Sequence, residues 1–317
     1  MKTNALLIII LFSLVIGLSC TSMRYKDMQP VLGTRSVEIL EKSGLKFRDL
    51  NRNGKLDKYE DWRLTPEERS RDLLSKMSVE EKAGLMMINT LNMVGTRAAE
   101  ASGGKLSASD LTEGGMPSQG GGQGASREGN RERAGRTQGN RAGSSGMTGE
   151  RIAGMGGTAG TTKMVKEFHM RHFILRANES ARVTAEWANK LQELCESEPL
   201  GIPAVICSNP RNNITTNPSL GTSVGTTVFS TWPGELGLSA MRDLELTREF
   251  ADIARQEWVA VGIRKGYMYM ADLATEPRWS RVNGTFGENA EWVASMIREI
   301  VLGFQGEKLN SSSVALT

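Results

Sequence analysis

Residues 257–306 decide the fold, and their centre reads Tyr-Met-Tyr-Met-Ala-Asp-Leu-Ala-Thr-Glu-Pro-Arg-Trp-Ser-Arg over residues 267–281. The apolar, aromatic-rich run 267–271 has the composition and length of a buried strand. Pro277 prevents regular continuation, and two arginines and a tryptophan follow on the loop before the next amphipathic helix. Charged and aromatic groups at the exit of a buried parallel strand are typical of binding sites in α/β barrels. The stretch therefore predicts a strand whose carboxyl end carries a binding site.

The rest of the second half of the chain alternates between strand and helix patterns. Continuous apolar runs predict short strands, and apolar residues that recur at helical spacing predict amphipathic helices. Strands are expected over 173–175, 201–207 and 229–232, and helices over 181–196, 243–262 and 292–303, with one more strand beginning near 313–317. Such alternation implies βαβ units. The sequence thus predicts an α/β fold, an incomplete TIM-like (β/α)8 barrel with parallel strands.

The wording of this region resembles a known enzyme family. Four motifs are similar to the N-terminal barrel of glycoside hydrolase family 3, the β-glucosidase-type exo-glycosidases: Glu-Trp-x-x-x-Gly-Ile at 257–263, Ala-Asp-Leu-Ala-Thr-Glu-Pro-Arg-Trp-x-Arg at 271–281, Thr-Phe-Gly-Glu at 285–288 and Gly-Phe-Gln-Gly at 303–306. The resemblance covers about residues 45–100 and 165–317. It implies an O-glycosyl hydrolase that releases terminal non-reducing β-linked sugars from an oligosaccharide or β-glycoside. It also implies a retaining mechanism with no metal or organic cofactor in the chemistry.

The catalytic carboxylates are expected outside this sequence. A retaining glycosidase needs two carboxyl groups about 5 Å apart, one as nucleophile and one as acid and base. In the family that this chain resembles, the nucleophile is an aspartate on a later barrel strand and the acid/base lies further on. Both positions fall beyond residue 317, so the fragment alone is expected to be inactive. The alternative is a non-catalytic carbohydrate-binding or scaffold remnant of the same fold.

Four residues are the candidate substrate contacts. Arg281 matches the final arginine of the family's Arg-Trp-x-Arg motif, and a guanidinium offers rigid paired donors to adjacent hydroxyls. Arg278 is expected to support the same loop through an ion pair. The polar loop after the strand 201–207 contributes Asn209, at the place of a substrate-binding aspartate in the family, and Arg211. Asp272 is expected to be a structural acceptor for loop amides rather than a catalytic group.

A calcium-loop pattern lies upstream of the barrel. Oxygen-bearing side chains stand at positions 1, 3, 5 and 9 of the segment 49–60, with glycine at 6 and glutamate at 12, as in an EF-hand loop. The candidate ligands are Asp49, Asn51, Asn53, Lys55 (through its carbonyl), Asp57 and Glu60. The alternative is a turn held by its own side-chain hydrogen bonds without an ion. Any calcium here is expected to be structural.

Residues 1–20 have the pattern of a signal peptide. Lys2 precedes an apolar run, and the run closes on Gly-Leu-Ser-Cys at 17–20. A short basic region, an apolar core and a small-residue exit are typical of secretion rather than of a membrane span. Cys20 resembles a bacterial lipoprotein processing site, and ordinary cleavage nearby is the alternative. The protein is expected in the periplasm or anchored to the outer membrane, with no other membrane contact.

The remaining boundaries follow from composition. Residues from about 103 to 162 are rich in Gly, Ser, Arg, Gln and Thr and contain no aromatic residue, so they predict a disordered insertion. Arginines among glycines also occur in RNA-binding tails, but those usually interleave aromatics for stacking. The net charge of +3 is small for 317 residues, and no nucleic-acid partner is expected. The predicted domains are a lead-in at 21–64 and a partial barrel at 65–317, and capping patterns predict helices that begin at Thr65, Ser78 and Asp243.

Overall fold

The computed structural model describes residues 28–113, 159–212 and 228–317. It divides into two compact units. Among the described residues, the first contains 28–87 together with 165–171 and 191–204, and the second contains 88–113, 159–164, 172–190, 205–212 and 228–317. The predicted signal peptide and the central part of the predicted insertion lie outside the described residues. The segment 65–87, assigned from sequence to the barrel, groups with the predicted lead-in.

Helices and strands alternate through most of the described chain. The strands are β1 (Ile39–Lys42), β2 (Leu45–Arg48), β3 (Ile88–Leu91), β4 (His172–Leu175), β5 (Val205–Ser208), β6 (Lys265–Gly266) and β7 (Ala315–Leu316). The α-helices are α1 (Pro66–Lys76), α2 (Val79–Leu85), α3 (Thr96–Ala101), α4 (Thr161–Lys166), α5 (Ala181–Glu196), α6 (Glu235–Ala240), α7 (Leu244–Ala260) and α8 (Ala290–Gln305). None of these helices combines the length and the apolar character needed to span a bilayer.

The second unit is built on a five-stranded parallel sheet. Its strand order, β3-β4-β5-β6-β7, is the order of the strands along the chain. One register level joins Leu91, Leu175, Ser208, Gly266 and Leu316. A doubly wound sheet reverses its strand order at a switch point, whereas strands that follow one another in chain order form the wall of an α/β barrel. The predicted α/β class with parallel strands is confirmed.

Local capping signals fix several helix starts. The hydroxyls of Thr65 and Ser78 accept hydrogen bonds from the backbone N–H groups of Glu68 and Glu81. In return, each glutamate carboxylate accepts the backbone N–H of its cap residue. Asp243 caps α7 in the same way by accepting from the N–H of Leu246 at 2.9 Å. These bonds satisfy donors that the first helical turn leaves free. The sequence therefore located these starts correctly, and α5 occupies its predicted span 181–196.

Two predicted strands do not form. Only Lys265–Gly266 pair in the sheet before residues 267–271 leave it, after the N–H of Tyr267 donates to the carbonyl of Ser208 at 2.8 Å. Tyr269 then packs among the rings of Phe250, Phe286 and Phe304. The aromatic composition of this run thus reflects side-chain burial rather than strand pairing. Residues 229–232 form a single β-bridge at Trp232, whose N–H donates to the Asn212 carbonyl at 2.7 Å, rather than the predicted strand.

The edges of the predicted insertion are ordered. Residues 103–113 belong to a folded loop in which the N–H groups of Val94 and Gly95 donate to the carbonyls of Asp110 and Ala108. At the other edge α4 begins at Thr161, whose hydroxyl donates to the carbonyl of Thr112 at 2.7 Å. The boundaries 103 and 162 are therefore corrected inward, because hydrogen bonds to the loop after β3 order both edges despite their polar composition.

The first unit has its own small core. The antiparallel hairpin β1–β2 leads into the turn at 49–60, and a buried cluster joins Val37, Leu50, Tyr59 and Leu73. The hydroxyl of Tyr59 donates to the carbonyl of Leu200 within the same unit. The calcium-pattern loop is consequently part of a packed unit and not an isolated turn.

Candidate functional site

Four polar or aromatic residues follow one register level at the carboxyl edge of the sheet. Asn92, Arg176, Asn209 and Tyr267 come directly after Leu91, Leu175, Ser208 and Gly266, which are paired with one another. We call these four residues the carboxyl-edge row. Because successive side chains of a strand point to opposite faces, the row points away from the face that buries Leu91 and Leu175.

The carboxyl-edge row combines exposed and unsatisfied polar groups. Arg176 is exposed, and Tyr267 keeps 53% of its surface accessible. Within the described part of the chain, the buried Oδ1 atoms of Asn92 and Asn209 lack a hydrogen-bond partner. A buried acceptor without a donor costs free energy. The two amide oxygens therefore have an unmet hydrogen-bonding capacity at this edge of the sheet.

The loop after β6 carries two exposed ionic groups. Arg281 is exposed at the start of the short 3-10 helix Val282–Gly284, and its guanidinium makes no hydrogen bond within the described residues. Asp272 is also exposed and accepts no hydrogen bond from any described group. Within the described residues Asp272 therefore does not act as the structural acceptor that the sequence predicted. Both groups are accessible to a ligand.

Arg278 holds the loop through a local ion pair. Its Nε and Nη2 each donate to Glu276 at 2.8 Å. Hydrogen bonds from the Arg278 side chain and backbone N–H lower the pKa of Glu276 to about 2. The pair is exposed, so its contribution to stability is small. Arg278 thus has the supporting ion-pair role expected of it, since its guanidinium is bonded to Glu276.

Arg211 is a structural residue and not an exposed contact, which corrects the prediction from sequence. Only 2% of its surface is accessible. Its guanidinium donates to Ser208 Oγ at 2.6 Å, to the Ala177 carbonyl at 2.8 Å, to Asn178 Oδ1 at 2.7 Å and to the Leu175 carbonyl. Burial, followed by the nearby charge of Arg176, lowers the pKa of Arg211 to about 10. It ties the exits of β4 and β5 together.

The loop at 49–60 satisfies its oxygen atoms internally. Both carboxylate oxygens of Asp49 accept backbone N–H groups, from Asn53 at 3.1 Å and Gly54 at 2.9 Å. Those of Glu60 accept the N–H groups of residues 50, 51 and 57. Lys55 is exposed, and its N–H donates to Asn53 Oδ1. Gly54 supplies the turn with a φ of 70°. The predicted pattern therefore folds into a closed set of side-chain to backbone hydrogen bonds.

Asp57 shows why these residues do not fit a calcium ion as arranged. Its Oδ2 accepts the amide N–H groups of Asn51 and Asn53, both at 2.7 Å, and its Oδ1 pairs with Lys76 Nζ at 3.1 Å. Burial alone would raise the pKa of Asp57, but these hydrogen bonds outweigh burial and hold it below its usual value. In the described ranges no group of three or more His, Cys, Asp or Glu side chains could hold a metal. An ammonium group neutralises Asp57 instead.

We expect added calcium to leave the thermal stability of this protein unchanged. Lys76→Met should lower the free energy of unfolding by about 1 kcal/mol, because it removes a partly exposed ion pair. Lys58→Met, which removes an exposed charge from the same turn, is the matched control and should have a smaller effect. Differential scanning fluorimetry with millimolar calcium or a chelator measures both effects. A rise in melting temperature of the unmodified protein with calcium would contradict the closed-loop interpretation.

The sequence did not assign roles to three members of the carboxyl-edge row. It located Arg176 after a strand without giving it a role, and it treated Tyr267 as part of a strand. Asn92 follows a strand that was not predicted. The signal that could have found them is the register between neighbouring strands, and hydropathy alone does not contain it.

The fold and the carboxyl-edge row define an α/β protein with a barrel-like parallel sheet that carries polar groups at its carboxyl edge. Residues 152–315, just over half of the chain, match the glycosyl hydrolase family 3 N terminal domain. The chain belongs to this family.

The relatives of the chain carry glycosidase names. It is 38% identical over 289 residues to a periplasmic beta-glucosidase/beta-xylosidase of Dickeya chrysanthemi, which covers 90% of this chain and 36% of that protein. It is 46% identical over 156 residues to a beta-glucosidase C of Emericella nidulans, covering 49% of this chain and 25% of that protein. The chain thus spans about a third or less of the length of these relatives. A β-glucosidase structure from Erythrobacter marinus aligns over 82% of this chain and 26% of that chain, with a TM-score of 0.52 and 15% identity, and supports the fold.

Proposed function

We propose that this chain is part of an exo-acting β-glycosidase that hydrolyses terminal non-reducing β-linked sugars with retention of configuration. The substrate is an oligosaccharide or β-glycoside. The observation that carries the proposal is the carboxyl-edge row in a chain of glycosyl hydrolase family 3. Binding residues of barrel enzymes come from the carboxyl ends of several strands, and here four adjacent strands each contribute one residue to the row.

The chemistry of this edge suits an uncharged polyol. Asn209 offers both an acceptor and a donor, and Arg281 offers paired donors to neighbouring hydroxyls. The exposed carboxylate of Asp272 accepts hydroxyl donors. A sugar presents alternating donors and acceptors around an apolar ring, and the groups at this edge complement that pattern without a metal or an organic cofactor.

We propose that the nucleophile and the acid/base come from beyond residue 317. The double displacement forms a covalent glycosyl-enzyme on one carboxylate, while the second protonates the leaving oxygen and then deprotonates water. The chain accounts for about a third of the length of its bacterial relative. We assign no carboxylate of residues 1–317 to either step. The described residues act in binding and orientation.

The proposal is tested with the 317-residue chain and with the full coding region that contains it. We expect the full protein to hydrolyse an aryl β-glucoside or β-xyloside, and NMR of the first-formed sugar to show the β anomer. The 317-residue chain should bind a non-hydrolysable β-glycoside without turning over the aryl substrate. Release of the α anomer by the full protein, or failure of both proteins to bind or cleave any β-glycoside, would overturn the proposal.

A non-catalytic carbohydrate-binding protein is the second candidate. Asn209 favours it, because a neutral amide stands where the family commonly has a substrate-binding aspartate. This candidate predicts saturable sugar binding by the full protein with no hydrolysis of aryl β-glycosides, so the same two assays separate the alternatives.

We further propose that the protein is exported to the periplasm and that Cys20 carries a lipid anchor to the outer membrane. The signal-like pattern of residues 1–20 and the periplasmic relative support export. Metabolic labelling with a radioactive fatty acid tests the anchor. Label should enter the unmodified protein and be lost in Cys20→Ser, and equal labelling of the two would refute lipidation.

A further inference from the structure

Two exposed members of the carboxyl-edge row flank Asn209. Arg176 follows β4, Asn209 follows β5 and Tyr267 follows β6, so the backbones of Arg176 and Tyr267 lie at the ends of the two strands beside Asn209. The N–H of Tyr267 donates to the carbonyl of Ser208 at 2.8 Å. This bond fixes the backbone of Tyr267 beside the strand that leads to Asn209, although more than half of the Tyr267 surface remains accessible.

The spacing of the three residues matches one sugar ring. Neighbouring strands lie about 4.8 Å apart, so the backbones of Arg176 and Tyr267 are separated by about 10 Å with Asn209 between them. A pyranose with its hydroxyl groups has a similar width. Side chains that rise from the two outer strands can therefore contact opposite sides of a single ring held over Asn209.

The two side chains offer different contacts to such a ring. Tyrosine presents an apolar face together with a hydroxyl and loses little conformational freedom on binding. Arginine presents paired donors that reach two adjacent hydroxyls. Arg176 also lies near enough to Arg211 to affect its charge equilibrium, which places the Arg176 side chain beside the junction of the β4 and β5 exits.

We propose that Tyr267 is the stacking platform and Arg176 the hydroxyl clamp of a single-sugar subsite centred on Asn209, and that the two residues determine which terminal sugar is accepted. The inference rests on the proposed function and deepens it. A ring with a hydroxymethyl group covers more of the tyrosine face than a ring without one. The pair therefore favours a hexopyranose such as glucose over a pentopyranose such as xylose.

The test measures the binding of methyl β-glucoside and methyl β-xyloside to the 317-residue chain by saturation-transfer NMR. Tyr267→Ala should weaken the binding of methyl β-glucoside about fivefold, and Tyr267→Phe should keep it within about twofold, because phenylalanine retains the aromatic face. Arg176→Met should weaken both sugars. Leu309→Ala is the matched control, since Leu309 is 64% exposed in the loop before β7, at the opposite edge of the sheet.

The possible results separate this inference from the function on which it rests. Binding by the unmodified chain with a loss in Tyr267→Ala and Arg176→Met, but not in Tyr267→Phe or Leu309→Ala, supports the subsite. Binding that all four variants retain overturns the subsite and leaves the glycosidase proposal standing. If the unmodified chain binds neither sugar, the subsite proposal fails, and hydrolysis of an aryl β-glycoside by the full protein decides the glycosidase proposal separately. Circular dichroism of each variant confirms that the fold is retained, as expected for substitutions at exposed side chains.

Discussion

Arg211→Met is expected to lower the free energy of unfolding by about 3 kcal/mol, because a buried acceptor left without a donor costs roughly 1–3 kcal/mol, while the Leu175 carbonyl keeps the Ser208 hydroxyl as a donor at 2.9 Å. The buried guanidinium serves acceptors on two strand exits at once, and the bonds to Ser208 Oγ and to the Leu175 carbonyl are both fully buried. Methionine fills much of the volume but donates to neither atom. Chemical denaturation with a circular dichroism readout measures the loss.

Two further variants separate a structural role for Arg211 from a substrate contact. Arg211→Lys keeps the charge but cannot reproduce the planar fork of donors, so it should recover only part of the stability. Arg182→Met is the matched control, because Arg182 is an exposed arginine on α5 that pairs with Glu186. It should change stability by less than about 0.5 kcal/mol. If Arg211→Met unfolds like the unmodified protein and loses only sugar affinity, the assignment as a structural residue is wrong.

Gly303→Ala is expected to lower the free energy of unfolding by about 2 kcal/mol, the range seen when an atom is forced into a packed core. A methyl group at Gly303 would lie 2.7 Å from the carbonyl oxygen of Arg248 and 3.0 Å from the backbone nitrogen of Asp252, and closer still to Cβ of Ala251. These atoms belong to α7, so the two helices would have to separate. In an unpacked helix the same change would stabilise by up to about 1 kcal/mol.

The sign of the stability change distinguishes close packing of α7 against α8, which predicts destabilisation, from an unpacked helix, which predicts stabilisation. Ser295→Ala, about two turns toward the start of α8, is the control because its hydroxyl makes only an exposed bond to the Glu291 carbonyl. It should be neutral or slightly stabilising. Thermal melts of the two variants beside the unmodified protein are sufficient. A melting temperature for Gly303→Ala at or above that of the unmodified protein would show that α7 and α8 do not pack as closely as described.

Gly303 also shows where local sequence rules were misleading. A glycine after an apolar helical run predicts a helix end, yet α8 continues to Gln305 and its C-cap is Gly306. The residue is glycine because a neighbouring helix approaches it, and that approach depends on residues about 50 positions away in the chain. No window of local sequence contains this information.

The candidate site shows the same contrast between local sequence patterns and contacts made by distant segments. Arg281 was recognised from a motif, and the structure leaves its guanidinium exposed. Arg211 was selected from its polar loop, but tertiary folding buried it under the exits of β4 and β5. Asp272 was expected among loop amides and lies in solvent. Motifs thus identified candidate binding residues, whereas burial and strand register determined which groups each residue contacts.

The surroundings of Asp57 show, for the predicted calcium loop, that a local pattern does not specify its tertiary contacts. The spacing of oxygen side chains in 49–60 matched a calcium loop, and the turn geometry at Gly54 follows it. The cation beside Asp57 is nevertheless Lys76, which comes from a helix that begins after the loop ends. Linear spacing describes the turn but not the group that packs against it.

The sequence by itself determined the α/β class, the helix caps at Thr65, Ser78 and Asp243, and membership of a glycosidase family, because these depend on periodicity, capping chemistry and local motifs. Only the tertiary structure decided that Asn92, Arg176, Asn209 and Tyr267 form one row, that Arg211 is buried and that Gly303 lies against a neighbouring helix. Each of these depends on strand register or helix approach between segments distant in the chain. Such contacts arise when the chain buries its apolar surface as a whole, so no single segment encodes them.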